Sequence, residues 1–165
     1  MGVLTDSKIE RFHEEGYVCA EGAVTPGELA ALNAALAGWV EEAARRGQNF
    51  GETIDGRARF DLQPGCYGAP PALRRVNNPV EVSDAYYAVM ADSALTDMVA
   101  QLIGPNVKFH HSKINVKLPG TATVVACHQD FTYTPHTNTD MVAALLMLDD
   151  MTLENGCLMA APGSH

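Results

Sequence analysis

The sequence holds no C-x-x-C pair, no G-x-S-x-G elbow, no Walker-type phosphate loop, no H-E-x-x-H and no Gly-rich dinucleotide turn. These absences argue against paired-thiol redox sites, hydrolase-type acyl transfer, P-loop nucleotide hydrolysis, zincin proteolysis and Rossmann-type cofactor binding. No apolar run approaches the roughly 20 residues of a membrane helix. The opening MGVLTDSKIE lacks the apolar core of a signal peptide, and Asp6 stands where myristoylation wants Ser or Thr. Cations are scarce: 11 Lys and Arg stand against 20 Asp and Glu, a net charge of −9. That balance argues against a nucleic-acid groove or an anionic membrane surface as the main partner. Four scattered cysteines, Cys19, Cys66, Cys127 and Cys157, without an export signal point to reduced thiols and a cytoplasmic protein. Three of them sit among apolar neighbours, where a small buried residue is the simplest role.

What is present is an ordinary globular composition, 47% hydrophobic over 165 residues, which suits one domain with a real core. Ile9 and Phe12 share a helical face that Gly16 would end, before a short strand-like run over 17–24. Thr25-Pro26-Gly27-Glu28 has the form of a capping box. Leu29, Leu32, Leu36, Trp39 and Val40 then recur at helical spacing, and Glu41-Glu42 with Arg45-Arg46 read as a solvated end. Residues 47–79 are rich in Gly, Pro, Arg and Asn and read as a long loop, with a short strand near 58–62. A second helical stretch spans about 80–103 and stops at Gly104-Pro105. Beyond it, VKFHHSKINVKL, TVVACHQDF, MVAALLML and GCLMAA read as strands. Helices followed by strands predict an α+β fold with a mostly antiparallel sheet or barrel. Residues 1–104 form its helical part and 105–165 its β part, within a single domain.

The most informative stretch is Cys127-His128-Gln129-Asp130. On a strand, residues two apart face the same way, so His128 and Asp130 converge. An imidazole and a carboxylate on one face are two of the three ligands in the 2-His-1-carboxylate triad of non-haem Fe(II). A hydrogen-bonded pair at a strand end would show the same His-x-Asp. Alternation in HHSKINVKLPG places His111, Lys113, Asn115 and Lys117 on one face. That face suits a wall meeting an anionic ligand, and equally a solvent-facing edge strand guarded by lysines. His13 reads as exposed on its helix. His110 and His111 flank a strand, and His136 lies in the loop after the proposed ligands. Asp149, Asp150 and Glu154 precede Asn155-Gly156 and read as turn residues.

The runs GPNVKFHHSKINVKLPG, HQDFTYTP and ALLMLDDMTLENGCLMAAPGSH, in that order, resemble the phytanoyl-CoA dioxygenase family of Fe(II)/2-oxoglutarate-dependent oxygenases. FHEEGYVCAEGAVTPGELAALN resembles that family's opening segment, so the likeness covers about 9–165 apart from 47–79. The resemblance implies a double-stranded β-helix, or jelly-roll, core with helices packed on one side. It implies Fe(II) held by His128 and Asp130, and 2-oxoglutarate contacted by Lys117 and Asn115. Gln129, Tyr133 and His136 would lie near substrate. The partners implied are a small-molecule substrate and O2, and the reaction a hydroxylation that releases succinate and CO2. In that family the third ligand is a histidine on a late strand, past the Pro-Gly-Ser-His turn, with an arginine for 2-oxoglutarate after it. Neither is present here, and His165 matches the turn histidine, which is not the usual ligand. The chain is thus expected to hold the first two-thirds of such an oxygenase. Two alternatives stand beside this: a non-catalytic fragment or pseudo-enzyme acting as a binding module, and a metal site that borrows His165 or His136.

Overall fold

The structure, a computed structural model, describes residues 3–119 and 125–165. Its elements mix helices with an antiparallel sheet: α1 (Asp6–Glu15), α2 (Pro26–Arg46), β1 (Phe50–Ile54), β2 (Arg57–Gln63), β3 (Ala72–Asn77), α3 (Asp84–Ala91), α4 (Ala94–Ile103) and β4 (Lys113–Asn115). The chain divides into two compact units. One comprises Pro26–Ala88 with His110–Val125, the other Met1–Thr25, Val89–Phe109 and Ala126–His165.

The first unit is built on the four-stranded sheet, ordered β1-β2-β3-β4. Its strands arise where a loop was expected. Asp55-Gly56 is a two-residue hairpin turn with both φ values positive, closing the Ile54–Arg57 pair between β1 and β2. Asp-Gly is a strong hairpin signal because both positions tolerate the left-handed region. The loop expected over 47–79 is therefore a meander, and only its segment at 58–62 was legible as strand. The helix expected from 25 onward forms as α2. It lays Leu36, Trp39, Val40 and the buried Ala43 against Phe60, Leu73, Val76, Ile114 and Val116. Phe60 stacks on Phe50 with ring centroids 4.4 Å apart. At the far end of α2, Arg46 pairs with Glu42 and lies over the Phe50 ring.

Leu73 and Val76 are both fully buried although they lie three apart, which simple alternation forbids. The register explains it. Asp61 opposes Arg75 but Leu62 opposes Leu73, so Arg74 is an extra residue, a β-bulge. Arg74 and Arg75 consequently both leave the helix-covered face.

In the second unit, Gly16 ends α1 in the left-handed conformation, its N–H bonded to Phe12 O, as the sequence suggested. Leu4, Val89 and Met98 are its buried apolar residues. The expected helix over 80–103 is broken in two, because Ser93 and Thr96 hydroxyls bond the closing carbonyls of α3. Gly104 ends α4.

Several strand expectations fail. Residues 17–24, 141–148 and 156–161 form no strand, and of VKFHHSKINVKL only Lys113–Asn115 does. A strand exists only where a neighbour offers a hydrogen-bonding edge, and among the described residues those segments have none. Part of TVVACHQDF falls outside the described residues; its remainder is irregular chain over 125–129 that enters a single 3-10 turn at Asp130. The cysteines are free, yet none is buried: Cys19 and Cys127 are exposed, Cys66 and Cys157 half-buried. Their apolar neighbours lie in irregular segments that cover them poorly.

Candidate functional site

His128 and Asp130 meet as the spacing predicts, though on no strand. Gln129 is extended, with φ −105° and ψ 130°, and Asp130 opens the 3-10 turn Asp130–Thr132. One extended residue between them suffices to turn both side chains the same way. His128 Nε2 stands 3.2 Å from Asp130 Oδ1. The other ring nitrogen, Nδ1, lies 2.7 Å from the Ala126 carbonyl oxygen. A carbonyl only accepts, so Nδ1 carries the proton. Nε2 and the carboxylate oxygen then face each other, and a positive charge at that point, a proton or a metal ion, makes the contact favourable. Holding the distal N–H on a carbonyl is also how metal-binding histidines are oriented. The side chains keep 34% and 48% of their exposure, which leaves the pair accessible. The donor set thus fits two positions of an Fe(II) site. Among the described residues no group of three or more His, Cys, Asp or Glu gathers as a full cage would. Among the described residues, neither His136 nor His165 gathers with that pair.

Neighbouring residues hold this turn in place. Tyr133 N–H donates to Asp130 O, and the Tyr133 ring meets His128 edge-on with centroids 5.5 Å apart. Gln129 Nε2 donates to Ser164 O. The HQD turn is thereby fastened to the PGSH turn, the two motifs that the sequence set 35 residues apart. Gly163 N–H in turn donates to Glu15 O. His165 lies against Gly16, where an added Cβ would come within 2.6 Å of the histidine Cβ. His136 is exposed.

Asn115 and Lys117 belong to the other unit, on and just beyond β4. Ile114 and Val116 are buried while Lys113, Asn115 and Lys117 are exposed, so the expected alternation is present. β4 is an edge of the sheet, so both readings of that face keep a physical basis. Asn115 Oδ1 accepts from Arg75 Nε at 3.3 Å. Arg75 escaped the sequence reading because it lies in the stretch taken for a loop.

The profile of the phytanoyl-CoA dioxygenase (PhyH) family matches residues 12–165. The chain belongs to that family. Among its relatives, a probable alpha-ketoglutarate-dependent hypophosphite dioxygenase of Stutzerimonas stutzeri is 39% identical over 93 residues, 56% of this chain and 32% of that protein. An ectoine dioxygenase of Streptomyces anulatus is 25% identical over 99% of this chain and 52% of its own length. The chain thus spans about a third to a half of these curated relatives. Among solved structures, AviO1 from Streptomyces viridochromogenes Tue57 gives a TM-score of 0.45 at 21% identity, covering 62% of this chain and 44% of that one.

Proposed function

We propose that this chain is part of an Fe(II)/2-oxoglutarate-dependent dioxygenase that hydroxylates an unactivated C–H bond of a small molecule. The observation that carries the reading is the His128–Asp130 pair, with Nδ1 fixed on the Ala126 carbonyl and Nε2 presented beside the carboxylate. Iron, 2-oxoglutarate and O2 would supply the oxidising chemistry when bound, with succinate and CO2 as by-products. His128 and Asp130 would hold the metal, and Tyr133 and Gln129 would keep their turn in shape. Lys117 and Asn115 would offer a cation and an amide donor to a 2-oxoglutarate carboxylate. A jelly-roll core suits the sheet already seen, with α2 on one face and polar side chains on the other. The named substrates of the relatives, hypophosphite and ectoine, favour a small polar substrate.

A binding module without catalysis is the second reading. Two assays separate them. Co(II), an optical stand-in for Fe(II), should bind the chain and be lost in His128→Ala and Asp130→Asn. Succinate release from 2-oxoglutarate by the protein as encoded should need both residues. Metal binding without succinate release across a broad substrate panel would favour the module, and no metal binding at all would end the iron reading.

A further inference from the structure

The bulge in β3 places two consecutive arginines on the same face of the sheet, away from α2. Arg75 stands directly between Asp61 on β2 and Asn115 on β4. Arg74, the inserted residue, reaches Asp61 Oδ2 at 3.9 Å, a loose contact for an ion pair. Arg57, which begins β2, is close enough to act on Arg75 electrostatically. In a chain that carries a net charge of −9, Arg74 and Arg57 both stand near enough to Arg75 to repel it. Among the described residues, no carboxylate forms an ion pair with Arg75 or Arg57.

The hydrogen bonds at Arg75 set its orientation. Its Nε–H is taken by Asn115 Oδ1. The pair of Nη groups is left with no hydrogen-bond partner among the described residues. Because Asn115 Oδ1 accepts from Arg75, its amide N–H donors are turned elsewhere. A fork of guanidinium donors matches the two oxygens of a carboxylate or phosphate. The protein holds this cation at a cost: burial, then Arg74, then Arg57, press the Arg75 guanidinium below its ordinary value, opposed by Asp61. An anion seated there would offset the repulsion from Arg74 and Arg57. Bulges are commonly used in this way, to re-aim a side chain beside a binding site.

We infer that Arg74, Arg75 and Asn115 form a binding site for the oxyanion group of a small molecule, a carboxylate or a phosphate. The group belongs either to the co-substrate or to an anionic substrate. The site stands on the geometry of the sheet alone and does not depend on iron at His128.

Phenylglyoxal modification of the unaltered chain, without metal, tests this with peptide mapping at Arg74 and Arg75. The probes are 2-oxoglutarate and inorganic phosphate. Protection of Arg75 by 2-oxoglutarate but not phosphate assigns the site to the co-substrate; protection by phosphate assigns it to an anionic substrate. Calorimetry on Arg75→Lys and Arg75→Gln supplies the second reading. The protecting anion should bind about tenfold more weakly to the Lys variant, which keeps the charge and loses the fork, and more weakly still to the Gln variant. Unaltered modification rates with both anions, at concentrations up to the solubility of each, would overturn the proposal whether or not the variants fold. Because metal is left out, such a result would leave the iron reading standing, and loss of Co(II) binding would leave this site standing.

Discussion

At the scale of single residues, burial decides which polar groups matter. Arg59 keeps only 5% of its side chain exposed and needs every partner it has: Glu81 at 2.6 Å, Glu52 at 3.0 Å and the carbonyls of Asn77 and Asn78. It fastens β2 to the turn that follows β3. Tyr86 is half-buried beside Trp39, its hydroxyl donating to the Leu32 carbonyl at 3.2 Å. Burial raises its pKa from 10.0 to about 12. The neutral phenol is the form the fold accepts, so its stabilising share is intact below pH 10 and is lost as the pH rises from there towards 12. Absorbance at 295 nm should show a late tyrosine ionisation towards pH 12, and Tyr86→Phe should remove that step. A titration with no such late step would contradict the burial.

At the scale of elements, the bulge is the decisive feature of the sheet. Leu73 and Val76 pin β3 to the helix-covered face on either side of Arg74-Arg75. Leu73→Ala should cost about 2–5 kcal/mol, read from the urea midpoint at unchanged slope. It should also weaken anion binding at Arg75, because the anchor that sets the bulge is gone. A surface change such as Arg57→Lys should leave stability within about 0.5 kcal/mol. Much of this was out of reach of pattern reading. Period-two alternation identified β4 from HHSKINVKLPG, since Ile114 and Val116 are buried and their neighbours exposed. The same test failed on ALRRVN, where the bulge breaks the period, and on FGETIDGRARF, where glycine and charge obscured a hairpin that Asp55-Gly56 signalled.

At the scale of the whole chain, apolar side chains are unevenly housed. Leu145, Leu153, Leu158 and Met159 are each more than half exposed. Exposed apolar groups in such number within one segment favour association or dye binding. The chain should bind an apolar dye such as ANS and elute at a concentration-dependent size. Charged replacements at Leu153 and Leu158 should suppress both without shifting the urea midpoint. Concentration-independent elution with no dye signal would show these side chains to be covered. Among the described residues no helix is long and apolar enough to cross a membrane.

The sequence by itself determined the helices at 6–15 and 26–46, the stop at Gly104 and the family. Each depends on local chemistry: apolar spacing, a glycine that tolerates positive φ, or short motifs in fixed order. It also determined that His128 and Asp130 face one way, since that needs only an extended residue between them. The tertiary structure decided the rest. Whether an apolar run becomes a strand depends on a neighbouring edge, so 50–77 pairs and 141–148 does not. The tautomer of His128 depends on the Ala126 carbonyl, and the tie from HQD to PGSH on Gln129 reaching Ser164. The two arginines of β3 share a face only because the register slips by one residue, and register is set between strands and not within one.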